Sequence, residues 1–210
     1  MSFGGSLWLV PAKESKLEHI LKQAIQLLSE NGDQWGETVT SSFPPHMTIT
    51  SSVSPDLMTS PSKEARAEER IAPTDLKVAQ VVYGSKFFKR IYIRLERTMW
   101  LLEFVQCMRK AAVSESDAQL KDFMAAFEPH LSLAYASAFK DESQARRLLQ
   151  DARIEEQLSQ LDLAKELCQV VLMDTRSCDG PPSTTIPDSW FACDMPAELK
   201  EVLEMFRAQE

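Results

Sequence analysis

Two of the three histidines in this chain occupy one five-residue frame, Pro45-His46-Met47-Thr48-Ile49 and Pro129-His130-Leu131-Ser132-Leu133. Each reads proline, histidine, apolar residue, hydroxyl, apolar residue. On an extended strand successive side chains alternate between faces, so the imidazole and the hydroxyl two residues later point the same way. Met47, Ile49, Leu131 and Leu133 then point the other way, toward a core. Pro45 and Pro129 fix their own φ and lack an N–H, which suits the start of a strand. Two such strands side by side surround one anion with two imidazoles and two hydroxyls. Histidine exchanges a proton near neutral pH, so the duplicated frame is a candidate acid–base site. A single copy would read as a half-buried structural histidine; the recurrence far along the chain is what argues for chemistry. The third histidine, His19, falls in an amphipathic run and reads as a surface residue.

The 210 residues, 44% hydrophobic and 26% charged, suit one compact domain or two small lobes sharing a core. The net charge is −8. A protein that grips long nucleic acid through its phosphates is normally basic, so long polynucleotides are not expected as partners. A local pocket with a few donors can still bind one phosphate on an acidic protein, so a small phosphorylated substrate fits better. No apolar run is long enough to cross a bilayer. The first residues lack the basic and apolar regions of a secretory signal, giving the expectation of a cytoplasmic or otherwise intracellular protein. Cys107, Cys168, Cys178 and Cys193 show no paired spacing, so neither a zinc site nor a disulfide framework is read from them. No carboxylate cluster lies beside the histidines in sequence, so ligands for a two-metal mechanism are not visible.

The elements that must position the histidines follow from periodicity. A buried strand is predicted over 7–10, and a helix over 15–30 with Ser15 as N-cap and Asn31-Gly32 as stop. The first histidine strand covers 46–53. A proline- and charge-rich segment over 54–73 includes a short exposed helix at 63–70. A hairpin joins strands over 76–82 and 87–95 through Tyr83-Gly84-Ser85-Lys86. Helices follow over 98–112 and 116–127, then the second histidine strand over 130–135. A charged helix is predicted over 142–161, strands over 167–173 and 190–193, and a terminal helix over 196–207. Each half runs strand, helix, histidine strand. Helices mixed with apparently antiparallel strands argue for an α+β fold.

The paired frame is similar to the mark of the two-histidine (2H) phosphoesterase superfamily, two tetrapeptides of histidine, apolar residue, serine or threonine, and apolar residue. The PHMTIT and PHLSLAY contexts and the short N-terminal strand resemble the cyclic phosphodiesterases of fungi and plants. That resemblance covers essentially the whole chain. It implies a single bilobal α+β domain over 1–210, with pseudo-twofold symmetry and a cleft between two antiparallel sheets. It also implies metal-independent, cofactor-free hydrolysis of 2',3'-cyclic nucleotides to 2'-phosphates by a monomer. Opening of ADP-ribose 1'',2''-cyclic phosphate, a by-product of tRNA splicing, to ADP-ribose 1''-phosphate is implied as well. The motif residues carry over as His46, Thr48, His130 and Ser132. An aromatic after the second motif and a late tryptophan line the site in that branch, and the matching positions are Tyr135 and Trp190. Strict alternation sets Tyr135 on the face opposite His130, so it reaches the pocket only if the strand ends first.

The residue chemistry agrees with that resemblance. Opening a cyclic phosphate needs a base for water and an acid for the departing sugar oxygen. Two imidazoles with ordinary pKa values near 6.5 hold one proton between them near neutral pH. The hydroxyls of Thr48 and Ser132 can donate to the non-bridging oxygens. Which histidine is acid and which is base stays open at this level. Rival readings are an RNA-end-processing phosphodiesterase, which would need a basic channel, a non-catalytic nucleotide- or RNA-binding module of the same fold, and a scaffold with coincidental motifs.

Overall fold

A computed structural model describes residues 5–40, 43–58, 69–175 and 191–207. The first half holds β1 (Gly5–Pro11), α1 (Lys16–Glu30), α2 (Gly32–Trp35), β2 (Gly36–Glu37), β3 (Met47–Val53), β4 (Glu69–Arg70), β5 (Val78–Lys86) and β6 (Lys89–Leu95). Then follow α3 (Met99–Ala112), α4 (Asp117–Ala126), β7 (His130–Ala134), β8 (Ala138–Phe139), α5 (Glu142–Asp151) and α6 (Ile154–Ser159). The chain closes with α7 (Leu163–Glu166), β9 (Leu167–Asp174), β10 (Phe191–Cys193) and α8 (Ala197–Glu204).

Short polar side chains start the helices by accepting otherwise orphaned backbone N–H groups. Ser15 accepts from the N–H of Glu18 and Thr98 from that of Leu101. Ser116 and Gln119 cap each other reciprocally at α4. The strands pair antiparallel in the order β10-β9-β1-β3-β7-β6-β5, with β4 also on β9, and β2 pairs with β8 in a small second sheet. This is the mixed, antiparallel architecture expected. Met47, Ile49, Leu131 and Leu133 are fully buried in the hydrophobic core, where α1 lies against β7 and α3 against β3.

The resemblance implies two separate sheets; here both histidine strands belong to one. They meet at Met47 opposite Leu131. Antiparallel counting from that pair sets Leu133 opposite Pro45 and Ile49 opposite Pro129. Neither proline has an N–H to give a ladder, so the frames themselves keep the seam short.

Other boundaries moved for identifiable reasons. The hairpin turns at Phe87-Phe88, and the backbone of Gly84 instead lies so close to the carbonyl of Lys89 that a Cβ would sit 2.2 Å from that oxygen. The charged run over 142–161 is two helices, broken where Arg153 takes a left-handed φ of 54°. An unbroken helix could not bury Ala145 and Leu149 together with Ile154 and Leu158, because the second pair is out of phase with the first. Of the short helix expected over 63–70, residues 69–70 are strand β4 and the rest lies outside the described residues. The short α2, α7, β2 and β8 had no periodic signal of their own. His19 is exposed on α1, as expected. Among the described residues no helix is long and apolar enough to cross a membrane.

Candidate active site

Antiparallel counting from the Met47–Leu131 pair puts Thr48 beside His130 and Ser132 beside His46. All four residues then lie on the face opposite the buried Met47 and Leu131, as alternation requires. The strand on the outer side of each frame contributes an aromatic residue. Trp8 of β1 is opposite Thr48, and Tyr92 of β6 is opposite Ser132. Each aromatic ring touches a histidine. Trp8 stacks on His46 with centroids 3.8 Å apart, and Tyr92 meets His130 edge-on at 5.2 Å.

Each imidazole is anchored in the same way. Nδ1 of His46 lies 2.8 Å from the carbonyl oxygen of Pro44, and Nδ1 of His130 lies 2.8 Å from that of Glu128. A carbonyl oxygen only accepts, so each Nδ1 must carry the hydrogen. In the neutral ring Nε2 is therefore the basic atom, and in the cation it is the acidic one.

Burial changes the proton affinities from the ordinary values expected. His46 is 4% exposed, and removal from water lowers its pKa to about 4 against the support of the Pro44 carbonyl. Burial also lowers His130, assisted by the charge of Lys89 and opposed by the backbone and carboxylate of Glu128. In the ligand-free protein both rings thus favour the neutral form. A bound phosphodiester anion works in the opposite direction, because an adjacent negative charge favours the cation.

A charged cluster lies beside His130. The Glu128 carboxylate accepts from Nζ of Lys89 at 2.9 Å and from the Tyr92 hydroxyl at 3.2 Å, with Arg94 at 4.0 Å. Burial works against the Glu128 charge, but the Lys89 and Tyr92 hydrogen bonds win and hold the carboxyl below its usual range. Arg94 is opposite His130 in the ladder. Sequence reasoning passed over Trp8, Tyr92, Arg94 and Glu128. The alternation Ile91-Tyr92-Ile93-Arg94 does put the tyrosine and arginine on one face, but nothing in it names β7 as the neighbour.

β7 ends at Ala134, so Tyr135 lies just past the strand, close enough to the Ser132 side chain for Ser132 to favour its phenolate against burial. Its ring stacks on Phe43 at 4.3 Å and is only 4% exposed, with burial pushing the phenol up to about 12. It is therefore a core ring packed on Phe43 rather than an open stacking surface. The exposed aromatic nearby is Phe88, edge-on to Tyr135 at 5.3 Å and 55% exposed. Trp190 lies outside the described residues.

The sequence profile of the cyclic phosphodiesterase-like protein family matches residues 1–182. This chain belongs to that family. Membership makes it a hydrolase, an enzyme rather than a scaffold. One relative, the 2',3'-cyclic-nucleotide 3'-phosphodiesterase of Yarrowia lipolytica, is 27% identical over 189 residues, 73% of this chain and 82% of the relative. Another of the same name, from Phaeosphaeria nodorum, is 30% identical over 138 residues, 63% of this chain and 68% of that protein. Among solved structures, a conserved protein of unknown function from Agrobacterium tumefaciens aligns at a TM-score of 0.49 and 12% identity, covering 92% of this chain and 85% of its own.

Proposed function

We propose that this hydrolase opens 2',3'-cyclic nucleotides to nucleoside 2'-phosphates, with His46 and His130 as the proton-transfer pair. The observation that carries this reading is the antiparallel pairing of Met47 with Leu131, which gives one face two imidazoles with basic Nε2 atoms and two hydroxyls. In the reaction a water oxygen bonds to phosphorus while the bond from phosphorus to O3' breaks. One neutral imidazole takes the water proton and the other, as its cation, gives a proton to O3'. Thr48 and Ser132 donate hydrogen bonds to the non-bridging oxygens, whose charge grows in the five-coordinate state. Two imidazoles and two hydroxyls supply every transfer, so this chemistry calls on no metal ion. The same steps open ADP-ribose 1'',2''-cyclic phosphate to ADP-ribose 1''-phosphate, which would place the enzyme in the clearance of a tRNA-splicing by-product.

In this reading residues 1–210 are one bilobal domain whose halves meet at the short seam. Tyr135 packs behind the site with Phe43, and Phe88 offers a face to the base, since stacking on an exposed aromatic contributes about 1–3 kcal/mol per base. The net charge of −8 favours mononucleotides over long RNA, whose many phosphates an acidic surface repels. Incubation with 2',3'-cyclic AMP and with a cyclic-phosphate-ended oligonucleotide tests the assignment. Faster turnover of the mononucleotide supports it, and preference for the oligonucleotide favours RNA-end processing.

A further inference from the structure

The two frames match at the proline, the histidine, the hydroxyl and the flanking ring, but they differ two residues before the histidine. That position is Pro44 in the first frame and Glu128 in the second. Both supply the carbonyl that receives the histidine Nδ1–H. Only Glu128 brings a carboxylate as well. That carboxylate is fixed by Lys89 at 2.9 Å and by the Tyr92 hydroxyl at 3.2 Å, while the edge of the same Tyr92 ring lies against His130.

We propose that Glu128 is a positioning residue that makes His130 the proton donor of the pair, leaving His46 to take the proton from water. This rests on the cyclic phosphodiesterase reading above. Among the described residues the charged and titratable groups facing His130 are Lys89, Tyr92 and Arg94 from β6, Glu128 from its own lead-in, and His46 across the seam. Lys89 and Arg94 are cations, well suited to draw in a phosphate but adverse to a second cation on the imidazole. Glu128 is the counter-charge that Lys89 and Arg94 share. Without it His130 would have to take its proton beside two uncompensated positive charges. At the other frame the Pro44 ring carries no charge, and Trp8 covers the face of His46, which suits a neutral base. Frames alike in proline, histidine and hydroxyl thus become unlike partners, with glutamate in place of proline supplying the charge at His130.

The test is Glu128→Gln, which keeps the shape and the backbone carbonyl while removing the charge. Histidine titrations followed by NMR on the ligand-free protein should show the His130 midpoint falling by about one pH unit, the scale expected for loss of a nearby opposite charge. His46 should stay where it is. The alkaline limb of kcat/KM against pH should fall by the same amount, about tenfold in kcat/KM above the midpoint, with the acidic limb unmoved. Glu128→Asp should restore most of the shift, and Lys89→Met should move His130 upward. An unmoved His130 midpoint in Glu128→Gln overturns the proposal. So does a moved midpoint with an unmoved alkaline limb, because His130 would then not be the donor. The titrations need no turnover, so absence of cyclic phosphate hydrolysis in the wild type would instead remove the functional reading.

Discussion

A buried histidine makes acid destabilising for this protein. His46 is buried against Trp8, and its pKa falls from 6.5 to about 4. In the unfolded chain the same ring titrates near 6.5. Above that pH both states hold it neutral, and its contribution to stability is constant. Between about 6.5 and about 4 the unfolded chain binds a proton that the folded ring refuses, so stability falls as the pH falls. A gap of about 2.5 units corresponds to about 3 kcal/mol, lost in full once the pH drops through the folded value. That is a large share of the ~5–15 kcal/mol typical of a whole domain. The assay is urea denaturation of the wild type and of His46→Gln, whose amide can still donate to the Pro44 carbonyl. From about pH 7.5 to about pH 4 the wild type should lose about 3 kcal/mol more than the variant. Equal losses in the two proteins would refute burial as the cause of the shift.

Three further outcomes follow from the site. His46→Ala and His130→Ala should each lower turnover by about 10²–10⁴-fold, and Thr48→Ala or Ser132→Ala by about ten- to a hundredfold, the cost of one hydrogen bond to a charged oxygen. Near-normal turnover in either histidine variant would remove that residue from the reaction. The profile of kcat/KM against pH should be a bell with its crest between about 4 and 6.5, because both histidines are lowered in the free enzyme; a crest above neutrality would contradict the burial argument. Phe88→Ala should raise KM by about five- to 150-fold with kcat unchanged, while Phe88→Trp preserves it; an unchanged KM for the alanine variant would mean that the base stacks elsewhere.

Much of the candidate site could be read from residue types alone. The alternation within each frame put Met47, Ile49, Leu131 and Leu133 in the core and the histidines and hydroxyls on the other face. The N-cap at Ser15 marked its helix start because a short hydroxyl before an apolar stripe has a local purpose, and Thr98 and Ser116, the first residues of two further helical runs, prove to be caps as well. What stayed hidden depends on strand order. Trp8 sits in an apolar run whose period shows that it faces away from Leu7 and Leu9, but not that β3 lies beside it. Tyr92 and Arg94 stand opposite Ser132 and His130 only because β6 pairs with β7, a contact local sequence does not encode. The prolines of the frames were read as strand starters. Their larger consequence, a seam kept to a single pair between the histidine strands, needs both strands in register to be seen. The ordinary pKa values assumed for the histidines failed for a similar reason, since burial by Trp8 and Tyr92 is a tertiary effect.

In the proposed reaction two imidazoles open a cyclic phosphate so that the 3'-oxygen leaves. Phosphorus NMR of wild-type protein incubated with 2',3'-cyclic AMP in excess chelator tests it most directly. Conversion to adenosine 2'-phosphate is expected, at a rate unaffected by the chelator. Accumulation of the 3'-phosphate, or activity that disappears with chelation and returns with a divalent ion, would contradict it.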